Sequence, residues 1–141
     1  MKHGYDQCTR AFFATYMGFV KVSLGLRGLM VDMPQPNPDT RYWRNQVACA
    51  GFAMTNGNLE GVFSKKHGQL SNIVDCVEGI AKRDGLLLIT LDCFEPLVPV
   101  WERHGFRADH YVPWDDDHAP AWWDYDQLGT PRVAYMSKFV Q

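Results

Sequence analysis

The sequence predicts an α/β (α+β) fold: a mixed, mostly antiparallel central sheet with one parallel strand pair, flanked by helices. Three observations carry this expectation. An Asn-Gly pair at 56–57 divides two apolar runs, the strongest short-range signal for a β-hairpin. The segment LSNIVDCVEGIAKRDG (70–85) places Ile73, Val74, Val77, Ile80 and Ala81 on one helical face and leads straight into the apolar run LLLIT (86–90). Two strand-like runs, 106–114 and 132–140, close the chain and are expected to pair around a long aromatic and acidic insert.

Taken in order, the first third is the least regular. TRAFFATYMGFVKVSLGL (9–26) repeats Phe12, Phe13, Tyr16, Phe19 and Val20 at helical intervals, so an amphipathic helix is expected there, weakened by Gly18. MPQPNPDT (33–40) holds three prolines and is expected to be loop, because proline lacks the amide donor and restricts the residue before it. Apolar strands are expected over 46–54 and 59–64. For the helix that follows, Ser71 or Asn72 is the candidate cap, Asp75 suits the positive start, Lys82 and Arg83 suit the negative end, and Gly85 suits a left-handed exit. The run 86–90 lacks alternation, which predicts a strand covered on both faces. Strand, helix and strand then make a parallel pair with a right-handed crossover. A short helix is expected to begin near Pro96, to bury Leu97, Val100 and Trp101, and to stop at Gly105.

The chain of 141 residues, 46% hydrophobic, is expected to form one domain: a poorly defined helical N-terminal part over 1–45 and a core over 46–141. A net charge of −2 gives no reason to expect specific nucleic-acid binding. No apolar run approaches the roughly 20 residues of a membrane span, and the start lacks the form of a signal peptide, so a cytoplasmic protein is expected. The four cysteines make no C-x-x-C pair and share no metal-ligand spacing with a histidine, which predicts reduced, structural thiols. In WDDDH (114–118) consecutive acids seldom converge on one ion, so a solvated loop is expected and no metal site. The neighbouring aromatics Trp114, Trp122, Trp123 and Tyr125 are expected to cover the end of the sheet.

The stretch from Val47 to Val140 resembles the GNAT superfamily of N-acetyltransferases. Its most specific piece is Leu88–Phe106, resembling a central strand followed by a short helix that in the superfamily ends in Tyr-x-x-x-Gly-Phe, here Trp101-Glu102-Arg103-His104-Gly105-Phe106. A finer resemblance is to a phage- and prophage-associated subgroup. It lies at Leu91-Asp92-Cys93-Phe94, at Pro113-Trp114-Asp115, at Ala119 to Tyr125, and at Pro131 to Met136. The resemblance implies a GNAT-like sheet whose parallel pair splays apart to hold acetyl-CoA as co-substrate.

On the same resemblance, the pantetheine would pair with Val62, Phe63 and Ser64. The pyrophosphate would rest on Lys65, Lys66, Gly68, Ser71 and Asn72, at and beside a helix start. The family's loop pattern, Gln/Arg-x-x-Gly-x-Gly/Ala, is met by Lys65-Lys66-His67-Gly68-Gln69-Leu70, which keeps one glycine and places Leu70 at the second small position. Glu60 and Asp92 are the carboxylates placed to act as general base, although Asp92 also suits a cap for the helix at Pro96. Trp101 stands where the family carries a tyrosine acid, and an indole cannot serve as an acid near neutral pH. Two functions are therefore expected: transfer of an acetyl group to an amine, or a catalytically inactive GNAT-like phage protein serving as a virion component or as a binder of a host protein. Pairing of a sheet edge would give a homodimer.

Overall fold

The computed structural model describes residues 2–24, 33–66, 68–119, 121 and 123–141. Seven strands, β1 (Asp6–Cys8), β2 (Thr40–Asn45), β3 (Ala50–Thr55), β4 (Asn58–Ser64), β5 (Leu88–Phe94), β6 (Arg107–Val112) and β7 (Val133–Phe139), make one sheet in the order β1-β2-β3-β4-β5-β7-β6. The sheet is mostly antiparallel with one parallel pair and is flanked by helices, as the sequence predicts. The chain divides into two compact units, Met1–Ile89 with Phe139–Gln141, and Thr90–Lys138. Among the described residues no helix is long and apolar enough to cross a membrane.

In the first unit, α1 (Arg10–Leu24) starts where Phe12 N–H donates to the Thr9 hydroxyl at 3.2 Å. Its buried residues are Phe13, Met17 and Val20, which pack with Tyr42, Ala53 and Phe63 in one core cluster. Two residues of the expected face point outward: Phe12 is 43% exposed and Phe19 is 77% exposed. Met17, spaced four and three residues from its buried neighbours, takes the inward place instead. Residues 25 and 26 of the expected helix lie outside the described residues.

The expectation of a merely helical N-terminal part is corrected by β1 and β2, which pair antiparallel with each other, while β2 pairs with β3 from Thr40↔Thr55 to Asn45↔Ala50. The strand expected from residue 46 begins only at Ala50. Residues 46–49 are a turn, closed by Ala48 N–H donating to Asn45 Oδ1 at 3.0 Å, with Cys49 at φ 52° and Val47 exposed. The loop before β2 is pinned by Arg10, whose Nη1 donates to the Pro34 carbonyl at 2.8 Å and to the Tyr42 hydroxyl at 2.9 Å.

The β3–β4 hairpin turns on Asn56 (φ 49°) and Gly57 (φ 87°), both left-handed as this two-residue turn requires. Further along, Gly51 faces Phe63 and Ala53 faces Glu60, so Gly61 and Val62 together oppose Phe52 alone. This is a bulge of the kind led by a left-handed glycine: Gly61 has φ 57°, and a Cβ there would lie 3.1 Å from Pro34 Cδ.

The helix after β4, α2 (Gln69–Arg83), begins earlier than expected. Ser71 and Asn72 therefore lie inside it rather than capping it, and Gly68 holds the cap position. Asp75 sits beyond the first turn, where it pairs with Lys2 at 2.7 Å and with His3 at 2.8 Å. The far end follows expectation: Gly85 is left-handed, its N–H donates to Lys82 O at 3.1 Å, and Leu86 N–H donates to Ala81 O at 2.9 Å. The expected two-sided burial of 86–90 is corrected. Leu87 is exposed, and along β5 Ile89 and Leu91 are buried while Leu88 and Asp92 are not, which is the alternation of a strand with one covered face.

In the second unit β5 runs on through Asp92 to Phe94, so Asp92 is a strand residue and not the cap of the next helix. A 3-10 turn at Glu95–Leu97 leads into α3 (Val98–Glu102), whose buried residues are Val98 and Trp101; Leu97 and Val100 are half-buried. Gly105 (φ 90°) ends it, with Phe106 N–H donating to Trp101 O at 3.2 Å. Strands β6 and β7 pair antiparallel from Arg107↔Ser137 to Val112↔Val133, with a bulge at Asp109. Their insert contains α4 (Tyr125–Leu128), capped by Asp124, whose carboxylate accepts the N–H groups of Asp126 and Gln127 at 3.1 Å each.

Candidate functional site at the turn from strand four to helix two

The stretch from Glu60 to Asn72 is a bulged strand, a short exit and an open helix start. Val62 is half-buried beside the bulge. Phe63 commits its ring to the core, 5.5 Å from Phe13 and 6.0 Å from Tyr16 between centroids, so only its backbone is offered to a ligand. The exit from β4 is fixed by two hydrogen bonds: Lys65 N–H donates to Cys49 O at 3.0 Å, and the Ser64 hydroxyl donates to Lys66 O at 2.8 Å. Both lysine side chains are exposed. Gly68 is left-handed at φ 84° and has no side chain with which to cap the first amides of α2, and, its chain neighbours aside, no atom of the described residues lies within 4 Å of where its Cβ would be. Ser71 is exposed and Asn72 half-buried on the opening turns. His67 lies outside the described residues.

Sequence reasoning missed two residues that shape this place. One is Gly61, which bends β4; a lone glycine inside an apolar strand pattern is itself the signal for a bulge. The other is fully buried Tyr5, whose hydroxyl donates to Gln69 Oε1 at 2.9 Å and so braces the first residue of α2 from beneath. Burial pushes the Tyr5 phenol far above its ordinary range, keeping it a neutral donor. No local pattern in the sequence links positions 5 and 69.

Of the two candidate bases, Glu60 stands on β4 just before the bulge. Asn58 Nδ2 donates to its Oε1 at 3.0 Å, and the Thr55 hydroxyl donates to its Oε2 at 3.3 Å. Asp92 belongs to the second unit. Its side chain keeps access to water, yet desolvation raises its carboxyl above the usual carboxylate range.

Trp101 is buried and meets Phe106 edge-on at 5.4 Å. Three of the four cysteine thiols lie toward the inert side. Burial pushes Cys93 up to about 12, aided by the Asp92 charge, and burial also raises Cys8 and Cys76. In the insert, Asp115 Oδ1 accepts Asp117 N–H at 3.0 Å, and Asp115 Oδ2 lies 2.6 Å from His118 Nδ1. Asp116 Oδ1 accepts from Trp114 Nε1 at 2.7 Å and from the Tyr125 hydroxyl at 3.0 Å. These carboxylates fold the loop on itself. Buried Trp123 lies 4.9 Å from Phe94 and 4.6 Å from Trp114, so the aromatics cover the end of β5 as expected; Trp122 lies outside the described residues.

No family model and no curated protein matches the sequence. Solved structures do match in fold. A structure described as "IAA acetyltransferase" from Bacillus cereus ATCC 14579 superposes with a TM-score of 0.62 at 8% identity, covering 96% of this chain and 97% of that one. A GCN5-related N-acetyltransferase from Rhodopseudomonas palustris gives 0.64 at 10% identity over 99% and 96%. A GNAT family acetyltransferase from Elizabethkingia anophelis, with acetyl-CoA bound, gives 0.56 at 10% identity over 71% and 74%. The fold is that of the GNAT acetyltransferases.

Proposed function

We propose that this chain is an acyl-CoA-dependent N-acyltransferase that moves an acetyl group from acetyl-CoA to an amine. The observation that carries the reading is the start of α2 at a glycine that has no capping side chain, reached from a bulged β4 past two exposed lysines. Unpaired amides at a helix start attract anions, and the empty space over Gly68 leaves room for a phosphate to reach them. The residues present therefore fit the pyrophosphate of the co-substrate. In this reading Lys65 and Lys66 add charge to the phosphates, the amides around Gly68, Ser71 and Asn72 take the oxygens, and Val62, Phe63 and Ser64 offer backbone to the pantetheine.

Glu60 accepts the proton of the attacking amine, and Asp92 is the second carboxylate available for that role. With Trp101 in place of a tyrosine, the thiolate leaves without a general acid. A thiol of pKa about 8.5 tolerates this, at a cost within the roughly 10² to 10⁴ that a general acid contributes. Thiol release in the presence of acetyl-CoA and primary amines tests the reading. Glu60→Gln is expected to lower kcat about 100-fold if Glu60 is the base, and an unchanged kcat in both Glu60→Gln and Asp92→Asn removes both carboxylates from the chemistry.

A second reading is favoured by the burial of Trp101 and by the resemblance of residues 113–136 to phage-associated proteins. Here the GNAT-like shape is kept without turnover, as a virion component or a binder of a host protein. Capture of one stoichiometric host protein, together with no thiol release, supports it.

A further inference from the structure

On the sheet face against which α1 packs, three neighbouring strands bring a row of oxygen groups together. Tyr42 and Ala53 belong to the cluster under α1, Ala53 stands opposite Glu60, and Thr40 stands opposite Thr55. Side chains two apart on a strand, and those directly opposite across strands, share one face. The Thr40 and Thr55 hydroxyl oxygens are 2.7 Å apart, and the Thr55 hydroxyl reaches Glu60 Oε2 at 3.3 Å. Asn58 Nδ2 donates to the other oxygen, Oε1, at 3.0 Å.

We propose that Thr55 and Thr40 are positioning residues that hold Glu60 and form a hydroxyl relay carrying its proton toward solvent. The inference rests on the reading of Glu60 as the general base of an acyltransferase. An amide NH₂ can only donate, so Asn58 keeps Oε1 an acceptor and leaves Oε2 as the oxygen that takes a proton. A hydroxyl both donates and accepts, so the threonine pair satisfies Glu60 in both of its states. With Glu60 as carboxylate, Thr40 donates to Thr55 and Thr55 donates to Oε2.

When an N–H bond of the substrate ammonium breaks and an O–H bond forms at Oε2, the electron pair stays on nitrogen, giving the neutral amine that attacks the thioester. The directions then reverse. Glu60 passes its proton to Thr55 Oγ1, Thr55 passes its own to Thr40, and half-buried Thr40 gives one to water. Each hydroxyl has gained and lost one proton, and Glu60 returns to carboxylate. The 3.3 Å separation is long for O–H to O contact, as such bonds commonly are before substrate binds.

The test compares the wild-type protein with Thr55→Val, Thr40→Val and Thr55→Ser. The substrates are acetyl-CoA with spermidine, an aminoglycoside or a lysine peptide; thiol release, acetyl-CoA affinity by calorimetry and melting temperature are the readouts. Thr55→Val is expected to lower kcat about 10- to 100-fold and Thr40→Val less, with acetyl-CoA affinity unchanged and Thr55→Ser restoring the rate. A kcat for Thr55→Val equal to wild type overturns the relay while leaving the acyltransferase reading intact. Tight acetyl-CoA binding by the wild type with no turnover on any amine overturns that reading, and the relay with it. Should Thr55→Val melt early, the wild-type rate in H₂O–D₂O mixtures decides: a curved dependence on deuterium fraction shows more than one proton in flight, and a straight line overturns the relay.

Discussion

α1 and α2 belong to the same compact unit and each runs fifteen residues, yet they begin in opposite ways. At α1 the Thr9 hydroxyl accepts the N–H of Phe12 and closes the start from within the chain. At α2 the cap position is a left-handed glycine, which has no side chain to accept from the opening amides, and Tyr5 braces Gln69 from the core side. A helix that serves only as scaffold has every reason to satisfy its first donors locally, since each such cap stabilises by about 1 kcal/mol. An open start, firmly braced on its inner side, is the arrangement suited to an external anion. α4 repeats the first pattern, with Asp124 accepting two amides.

That contrast can be broken by giving α2 what α1 has. Gly68→Asp is expected to have the largest effect, lowering acetyl-CoA affinity about 100-fold or more, because the new carboxylate competes for the same amides and repels phosphate. Calorimetric titration reads it. Replacing Lys65 and Lys66 together by alanine is expected to weaken binding about 10-fold and to flatten its dependence on salt, which titrations at two ionic strengths would reveal.

Tyr5→Phe keeps the ring and removes the donor to Gln69. It is expected to lower stability by about 1 kcal/mol in denaturant unfolding and to weaken acetyl-CoA binding only a few-fold. The control on the closed helix is Thr9→Ala, with a loss of about 1 kcal/mol in stability and no change in affinity. An affinity change in Thr9→Ala as large as that in the lysine pair would erase the distinction between the two starts.

The parts of the fold legible in the sequence are those fixed by local chemistry. Asn56-Gly57 demands a turn that few other pairs can make, the apolar stripe of α2 repeats at helical spacing, and Gly85 and Gly105 end helices in a conformation that other residues avoid. What was not legible depends on partners distant in sequence. β1 is three residues without alternation, defined by its ladder to β2, and β2 hides its Tyr42-Trp43 pair between charged and polar neighbours. Val47 resembled a strand residue until Asn45 closed the turn beneath it.

The candidate site shows the same division. Gly68 and the two lysines could be read from a loop pattern, whereas the Tyr5 brace and the threonine row behind Glu60 exist only once strands are in register. Asp92 illustrates the converse error. A short acid ahead of two prolines reads locally as a cap, but the ladder carries the strand on to Phe94 and makes it a strand residue.

The claim on which the functional account turns is that acetyl-CoA binds at the open start of α2. The direct measurement is thermal unfolding of the wild-type protein and of Gly68→Asp across an acetyl-CoA titration. Binding to the folded state alone predicts about 2.7 kcal/mol of stabilisation at a hundredfold excess over Kd. The account predicts a melting temperature that climbs with ligand in the wild type and stays level in Gly68→Asp. A wild-type melting temperature that does not move at millimolar acetyl-CoA contradicts it.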